Sequence, residues 1–279
     1  MKKYANLHAP WVARITAEEQ NKTHQKDFAK ATKTRLHQLY GAYLHPTACK
    51  KAAGVLDGWE KAGAGECADL LRLHASTRER LPHYAAFYEF IFTHVPPPRV
   101  VMDLGCGFNP FALEYLLTAM QTTLQKPKDY LHMYHAFDID TQQAALINRF
   151  FAMNNLPAGA ECIDLGAENT EIVNTSAGVS NILPNADLTF MLKLLPVLEA
   201  QTAGWGYRLA ASLQTKYLVL TYPLKSLGGK EKGMARHYRH TFETALNAGE
   251  LSTFTLLTEG QIGQELIYIL QNVLQNVFS

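Results

Sequence analysis

The spacing of apolar residues changes near Pro96, and the chain is predicted to be organised differently on its two sides. Before this point apolar residues recur at intervals of three and four, as in Tyr84, Phe87 and Ile91, which is the spacing of an amphipathic helix. Three consecutive prolines at residues 96–98 stop the last of these helices and act as a stiff linker. We therefore predict a helical domain at residues 1–95 and a second domain at residues 96–279. Within the helical part a looser connection is predicted at the glycines Gly54, Gly58, Gly63 and Gly65.

Beyond the prolines, short apolar runs alternate with helical patterns. This alternation predicts a mainly parallel sheet with helices on both faces, and a connection containing Gly260 joins the last two strands as a hairpin. Five crossover units and the hairpin give seven strands, so the expected fold class is α/β, a Rossmann-like, seven-stranded class I methyltransferase core with a helical N-terminal domain. Strands are predicted near residues 99–104, 133–138, 160–164, 187–192, 216–222, 252–258 and 265–270, and helices near 110–123, 141–154, 198–213 and 231–247.

The helical front carries a basic surface. The net charge of the chain is only +1, but Lys and Arg outnumber Asp and Glu before residue 95, and the reverse holds after it. Apolar residues such as Phe28, Leu36 and Tyr43 share one predicted helix face, and basic residues fall largely on the others. A basic front suggests contact with a polyanion, and the alternative is a solvated lysine-rich helix. The basic residues are Lys26, Lys30, Lys33 and Arg35.

A glycine-containing loop follows the first predicted strand. The apolar run from Val100 ends in Asp103, and Gly105 and Gly107 come directly after it. Glycines let the backbone turn sharply and approach a ligand, so this segment is of the kind that binds nucleotide-like ligands in open α/β sheets. The third glycine of a dinucleotide-binding loop is missing, which favours a smaller ligand over a pyrophosphate. Asn109 is expected to cap the following helix, and the alternative for the segment is an ordinary strand-to-helix turn.

Acidic residues end the first three predicted strands. Asp103 ends the first, Asp138 the second and Asp164 the third. Ligands of such sheets bind just beyond the carboxyl ends of the strands. In an S-adenosylmethionine site, an acid after the second strand accepts hydrogen bonds from the ribose hydroxyls, and one after the third accepts from the adenine amino group. Asp138 and Asp164 are placed for these tasks; the alternative is that each caps the next helix, as is expected of Asp140 in particular.

Positive charge is predicted at the same edge of the sheet. Lys193 follows the fourth strand, where a lysine could hold an RNA phosphate or a target base by a charged hydrogen bond. The alternative is an ordinary surface lysine. A basic cluster follows the fifth strand, and its loop opens on the same edge. Its members are Lys225, Lys230, Lys232, Arg236 and Arg239.

The composition is that of a globular intracellular chain. Hydrophobic residues make up 47% of the sequence, and its four cysteines are scattered without a CxxC pair. Neither a zinc site nor a disulfide framework is therefore predicted. No apolar run reaches membrane length, and no signal-like segment begins the sequence. A cytoplasmic protein with no bound metal and no membrane contact is expected.

Several segments carry motifs more specific than the glycine loop. They are RLHQLYGAY at residues 35–43, HASTRER at 74–80, CGFNP at 106–110, LKLLP at 192–196, YPLKSLGGK at 222–230 and GQELIY at 263–268. Together they resemble the Arm/Rmt family of aminoglycoside-resistance 16S rRNA methyltransferases over nearly the whole chain. Gly105 departs from the alanine that many members carry, and relatives usually have a further short segment before the tyrosine-containing helix.

This resemblance implies methylation of N7 of guanine 1405 in the decoding site of 16S rRNA, in the 30S subunit, which gives aminoglycoside resistance. The implied cofactor is S-adenosyl-L-methionine, with S-adenosyl-L-homocysteine as the product, and relatives act as monomers. Because N7 carries a lone pair and no proton, no general base is expected. Lys193 and Asn109 are expected to hold the guanine, and the basic residues named above to bind rRNA. The alternatives are a small-molecule N-methyltransferase and a non-catalytic RNA-binding protein with a decayed methyltransferase fold.

The same resemblance implies a set of cofactor-binding residues. Arg80 suits the methionine carboxylate, because a guanidinium binds a carboxylate bidentately. Ser76 has the alternative of a capping box with Glu79, and for His74 the alternative is a satisfied core histidine. The full set is Tyr43, His74, Ala75, Ser76, Arg80, Gly105, Asp138, Asp164, Leu165, Leu192 and Gln201.

Overall fold

Seven strands form one mixed sheet in the computed structural model, which describes residues 4–24, 26–63, 65–167, 183–225 and 233–274. The strands are β1 Val100–Leu104, β2 Met133–Asp138, β3 Ala158–Cys162, β4 Ala186–Leu192, β5 Thr215–Pro223, β6 Phe254–Ile262 and β7 Glu265–Asn272. They lie in the order β3-β2-β1-β4-β5-β7-β6. The pairs among β1 to β5 are parallel, and β7 runs antiparallel to both β5 and β6. This is the class I methyltransferase arrangement, and the predicted fold class is confirmed.

The hairpin between β6 and β7 turns later than the sequence predicts. Gly260 lies inside β6, paired with Ile267, and the turn is at Gly263, whose φ is +54°. A left-handed turn residue of this kind favours glycine. Since β6 is the edge strand and alternate residues face solvent, its polar positions resemble a loop in the sequence.

Six α-helices precede the sheet in the described residues. They are α1 Ala9–Lys22, α2 Phe28–Leu36, α3 Ala48–Ala62, α4 Cys67–Leu71, α5 Ala75–Arg80 and α6 Tyr84–His94, with a short π-helix, His37–Gly41, continuing α2. The connection predicted at Gly54 and Gly58 is wrong, because both glycines lie within α3. Each interior glycine costs about 1 kcal/mol relative to alanine, and the complete burial of Ala52 and Leu56 on the opposite face offsets this cost.

The helices that follow β1 cover the sheet. They are α7 Leu113–Met120, α8 Pro127–Tyr130, α9 Thr141–Met153, α10 Leu195–Glu199, α11 Trp205–Ser212 and α12 Met234–Asn247. The single helix predicted at residues 198–213 is wrong, since α10 and α11 are separate helices. Gly204, with a φ of +74°, interrupts the helical conformation between them. The Glu199 carboxylate accepts hydrogen bonds from the backbone N–H of Gly204 at 2.7 Å and of Gly206 at 2.8 Å.

Hydrophobic cores lie on both faces of the sheet. One of them also contains residues of α3, α4 and α6, so that Tyr88 packs against Phe190 of β4 with ring centroids 6.1 Å apart. A smaller cluster around Trp11, Ile15 and Leu39 joins α1 to the end of α2. The division at residues 95 and 96 stays a prediction. Across the described residues, no helix has both the length and the apolar character needed to cross a bilayer.

Candidate active site

A cavity opens at the carboxyl ends of β1, β2 and β4, where the order of strands reverses between β1 and β4. Its space, including the open solvent at its mouth, is about 720 Å³. Ligands of open α/β sheets bind at such a reversal. Four residues of the N-terminal helices and the segment after them, Trp11, Leu39, Tyr40 and Tyr43, line it and are called the roof here. Of the predicted site residues it brings together Tyr43, His74, Ser76, Gly105, Asp138, Asp164, Leu165, Leu192, Lys193 and Gln201.

The loop after β1 approaches the cavity through its backbone. Gly105 and Gly107 have φ values of +62° and +51°. A Cβ on Gly105 would lie 2.7 Å from the Leu194 side chain, and one on Gly107 would lie 2.9 Å from the His74 ring. Both the left-handed backbone and the close neighbours therefore favour glycine at these positions.

Asp138 lies at the end of β2 and points into the cavity. Its Oδ2 accepts a hydrogen bond from the Gly107 N–H and its Oδ1 accepts one from the Ile139 N–H, each at 2.7 Å. Burial raises the pKa of this carboxyl to about 6, although the two backbone donors oppose the shift. The ionised form has lone pairs to spare for the hydroxyls of a ligand.

The affinity for S-adenosyl-L-homocysteine is expected to fall in acid because of Asp138. In the placement that the family resemblance implies, ribose hydroxyls would donate to the ionised carboxylate. Binding would then be full above the carboxyl's pKa of about 6 and would weaken by up to about tenfold per pH unit below it. Calorimetric titrations across this pH range measure the effect. The Asp138→Asn variant should bind more weakly with a flatter profile; an unchanged acid slope in that variant would assign the slope to another group, such as Asp103.

Asp140 caps α9, as the alternative for this residue predicted. Its Oδ1 accepts hydrogen bonds from the backbone N–H of Gln142 at 2.7 Å and of Gln143 at 3.1 Å. Its other oxygen accepts a hydrogen bond from the hydroxyl of Tyr40. Burial and this carboxylate raise the pKa of Tyr40 well above its usual value. Tyr40 is therefore a neutral donor that ties the π-helix to the loop after β2.

Asp164 lies beyond β3 and contacts an arginine that the sequence did not single out. The Arg14 guanidinium donates from Nη2 to Oδ1 at 2.9 Å and from Nε to Oδ2 at 3.2 Å. The same Nη2 donates to Oε1 of Gln201 at 3.0 Å, and the Trp11 indole N–H donates to that oxygen at 3.0 Å. Helix α1 is thus bonded to two of the predicted cofactor residues.

His74 stacks against the roof and is neutral. Its ring lies 6.3 Å from that of Tyr43 in a stacked arrangement. Burial, together with the nearby charges of Arg80 and Lys193, lowers its pKa to about 3. Its Nδ1 is buried and has no hydrogen-bond partner among the described residues. A neutral imidazole with an unused nitrogen at the cavity wall is available to a ligand.

Arg80 is buried beside the cavity and is not among its lining residues. Its Nη2 forms an ion pair with Oε2 of Glu265 at 2.8 Å, and its Nη1 donates to Oδ1 of Asn109 at 3.3 Å. Its Nε is buried without a partner in the described part of the chain. That unused donor is compatible with the predicted contact to a methionine carboxylate, which stays a prediction. Ala75 likewise does not line the cavity, and its backbone N–H donates to the Tyr43 carbonyl at 2.9 Å.

Asn109 supports the glycine loop from behind. It is 2% exposed, its Nδ2 donates to Oδ2 of Asp103 at 2.8 Å, and its Oδ1 accepts from the Tyr84 hydroxyl at 3.0 Å. The predicted helix cap is wrong, because residues 109–112 begin a 3₁₀ turn that has no side-chain cap. With its amide engaged in this way and away from the cavity lining, Asn109 positions the loop and Arg80, and a contact with the guanine is not favoured.

Lys193 follows β4 directly and lies at the cavity wall. Its backbone is left-handed, with a φ of +58°, a conformation that is strained for a residue with a Cβ. The backbone N–H donates to the Thr221 carbonyl at 3.1 Å and to its hydroxyl at 3.0 Å. The ammonium lies 2.7 Å from Oε2 of Glu79 and 3.4 Å from Oε1 of Glu265. Lys193 is therefore a buried, doubly paired cation, and the surface-lysine alternative is wrong.

The predicted RNA-binding residues fall into two regions. Lys26, Lys30 and Lys33 are exposed and line a groove along α2, whereas the Arg35 guanidinium donates to the carbonyl of Ala200. In the second region Lys225 and Arg236 are exposed, and Arg239 pairs with Glu259 at 2.8 Å. Lys230 and Lys232 lie outside the described residues.

A family model for ribosomal RNA methyltransferases, FmrO, matches residues 1–269 of the chain. The chain belongs to this family. One relative is a 16S rRNA (guanine(1405)-N(7))-methyltransferase from Frankia casuarinae, which is 36% identical to this chain over 256 residues. The aligned residues cover 88% of this chain and 81% of that protein. One from Serratia marcescens is 32% identical over 271 residues, 97% of this chain and 94% of that protein.

A solved structure of a 16S rRNA methyltransferase, RmtF in complex with S-adenosyl-L-homocysteine, is also similar. It superposes on this chain with a TM-score of 0.79 at 30% identity, covering 98% of this chain and 94% of that one. The FmrO-family enzyme is an S-adenosyl-L-methionine-dependent methyltransferase with an RNA substrate. Its cavity fits that cofactor, since carboxylates for hydroxyl and amino donors, a glycine loop and the unpartnered Nδ1 of His74 meet there.

Most of the roof was missed by the sequence-based site prediction. Trp11 reaches the cavity from α1, and Leu39 and Tyr40 reach it from the π-helix. Arg14, which bonds the cavity residue Asp164 across 150 residues of chain, was missed as well. In the sequence, Trp11 and Ile15 share a helical spacing, which predicts a buried face but not its partner. Only Tyr43 of this region was predicted, and that prediction came from the family resemblance.

Proposed function

We propose that this enzyme transfers the methyl group of S-adenosyl-L-methionine to N7 of guanine 1405 in 16S rRNA, within the 30S subunit. The observation that carries the proposal is the meeting of Asp138, Asp164 and Lys193 around one cavity at the switch between β1 and β4. The modified decoding site would protect the ribosome from aminoglycosides. An enzyme acting on this substrate works in the cytoplasm, and we propose that it acts as a monomer.

In this proposal the cofactor lies across the ends of β1, β2 and β3. Asp138 accepts from the ribose hydroxyls, and Asp164 with Gln201 binds the adenine end. The loop at Gly105, together with His74 and the free Nε of Arg80, holds the methionine end. Burial of Arg80 makes its hydrogen bond to a carboxylate strong, because water does not compete there.

Catalysis is proposed to rest on positioning. When bound, S-adenosyl-L-methionine supplies an electrophilic methyl group on its sulfonium. Lys193 has three N–H donors, and two carboxylates account for its contacts in the described part of the chain. The remaining donor can bond the guanine O6, which lies beside N7 on the same edge of the base, and this leaves the N7 lone pair free. The base leaves its stack to reach this site, and alignment alone can contribute several kcal/mol.

The groove lined by Lys26, Lys30 and Lys33 is proposed to bind the rRNA backbone, with residues 1–95 as the 30S-binding domain. The Lys30→Gln/Lys33→Gln double variant is expected to bind 30S subunits about tenfold more weakly, because two phosphate contacts are lost, and its salt slope should fall by about two. Filter binding at several salt concentrations measures both.

The matched control for this variant is Lys50→Gln/Lys51→Gln, which removes two exposed lysines from α3. It should bind 30S subunits as the wild type does, and neither pair should change the affinity for S-adenosyl-L-homocysteine. Equal losses of 30S binding in both variants would mean that overall charge, rather than this groove, attracts the subunit.

The proposed reaction is tested directly by incubating the enzyme with 30S subunits and labelled S-adenosyl-L-methionine and mapping the modified nucleotide. We expect a single label at N7 of guanine 1405. Parallel incubations with naked 16S rRNA determine whether the assembled subunit is required. Label on an adenine, or on ribosomal protein, would overturn the proposal.

A further inference from the structure

Arg14 of α1 bonds two residues that line the cavity, Asp164 and Gln201. Its guanidinium donates to both oxygens of Asp164 through Nη2, at 2.9 and 3.0 Å, and again to Oδ2 through Nε at 3.2 Å. The guanidinium also donates through Nη2 to Oε1 of Gln201 at 3.0 Å and through Nη1 to Oε1 of Glu18, one turn along the same helix, at 3.1 Å. A carboxylate bonded in this way is confined to one orientation.

Gly166 provides the space for this contact. A Cβ at this position would lie 2.6 Å from Oε1 of Gln201 and 2.8 Å from Nη2 of Arg14. The backbone N–H of Gly166 also donates to Oδ1 of Asp164 at 2.9 Å. The absent side chain therefore lets the guanidinium and the amide converge on the same carboxylate.

Helix α1 is itself anchored to the rest of the protein, so the backbone of Arg14 is fixed as well as its guanidinium. Ile15 is fully buried, and the Trp11 indole bonds the same Gln201 oxygen that Arg14 bonds. Ahead of the helix, the His8 N–H donates to the Ile139 carbonyl at 2.9 Å, and Leu7 forms a β-bridge with Asp140. These contacts join the start of α1 to the loop that follows Asp138.

We infer that Arg14 is a positioning residue for adenine selection, acting through Asp164; this rests on the cofactor placement proposed above. An amino group at purine position 6 donates to the fixed carboxylate, whereas an oxo group at that position faces it as a second acceptor. Rejection of a ligand that leaves a buried polar group unpaired is much stronger than rejection by shape alone. Because Arg14 holds the Asp164 carboxylate in one orientation, the difference in affinity between the 6-amino and the 6-oxo ligand is greatest when Arg14 is present.

The experiment compares S-adenosyl-L-homocysteine with S-inosyl-L-homocysteine, which has the 6-oxo group, by calorimetry. The wild type is expected to prefer the adenosyl ligand by about 100-fold, and Arg14→Gln should lower this preference about tenfold by weakening the adenosyl ligand alone. Gly166→Ala, whose Cβ would displace both the Arg14 guanidinium and the Gln201 amide oxygen, leaves the sequence of α1 unchanged and should lower the preference in the same direction. Lys22→Gln, which removes an exposed cation from the same helix, should leave it unchanged.

Asp164→Asn supplies the second readout. In that background Arg14→Gln should have no further effect on the preference, because the group that Arg14 orients is already changed. The inference is overturned if Arg14→Gln weakens the binding of both ligands equally and Gly166→Ala leaves the preference for the adenosyl ligand unchanged. Arg14 would then only hold α1 in place. A wild-type enzyme with no preference, or an Asp164→Asn variant that retains it, would overturn the proposed adenine site as well.

Discussion

Replacing Lys193 with alanine is expected to slow methyl transfer about 100-fold and to leave the affinity for S-adenosyl-L-homocysteine within about threefold of the wild type. The Lys193 side chain is 5% exposed and is held by Glu79 and Glu265. A charged hydrogen bond contributes about 1.5–3 kcal/mol. In the Lys193→Ala variant the hydrogen bond to the reacting base is lost, which raises the free energy of the transition state and leaves cofactor binding unaffected. Single-turnover methylation of 30S subunits and calorimetry with the product measure the two quantities.

Lys216→Ala is the control for this prediction. Lys216 lies at the start of β5, more than half exposed and paired with Asp187 at 2.9 Å, so both quantities should be unchanged. Wild-type methyl transfer by Lys193→Ala would remove Lys193 from the guanine site. Loss of cofactor binding in the same variant would instead show that Lys193 maintains the shape of the cavity.

Replacing Glu265 with alanine should lower the free energy of unfolding by about 3–5 kcal/mol. Its carboxylate pairs with Arg80 at 2.8 Å and lies 3.4 Å from the Lys193 ammonium, and all three side chains are at most 5% exposed. Removing it leaves two buried cations with too little negative charge. Urea unfolding measures the change, and the melting temperature should fall by about 10 °C.

The exposed pair between Glu259 and Arg239 is the control, since both of its side chains are more than one-third exposed. Glu259→Ala should change the free energy of unfolding by less than about 1 kcal/mol. A comparably small change in Glu265→Ala would contradict the expectation that this carboxylate compensates the buried cations.

Glu265 also predicts how stability depends on pH. Burial alone would raise its pKa, but Arg80 and Lys193 bring it below its usual value. A carboxyl whose pKa is lower in the folded state stabilises the fold above the pKa of the unfolded chain and loses that contribution as the pH falls through the folded value. The wild type should therefore lose more stability in acid than the Glu265→Ala variant does.

The parallel sheet could be predicted because its signals are local. Strands buried on both faces, such as β1 and β4, are near-continuous apolar runs. The acids at positions 138 and 164 lie at the end of β2 and two residues beyond β3. The errors arose where burial outweighs local preference. Gly54 and Gly58 are helical because the opposite face of α3 is buried, and α10 and α11 are separate because Glu199 closes a turn at Gly204.

The candidate site was predicted less completely, for a physical reason. Position along a strand shows that Asp138 lies at the sheet edge, but it does not show which distant helix covers it. Asn109 and Arg80 have polar side chains that suggest ligand contact. The sequence does not show that the fold also engages both of them in a buried network with Asp103 and Glu265. The role of Arg14 could not be predicted from the sequence, because its hydrogen-bond partners depend on how α1 packs in three dimensions.

The roof of the cavity has a consequence for the design of competitive inhibitors. Trp11, Leu39, Tyr40 and Tyr43 belong to segments that a bare methyltransferase core does not possess. A compound that mimics the nucleoside alone meets carboxylates of a kind that many such enzymes share. In the proposed cofactor placement, a compound that extends an aromatic group from the purine towards Trp11 and Leu39 would gain apolar contact only in enzymes built with these helices. Selectivity over the host's own methyltransferases is therefore to be sought at the roof.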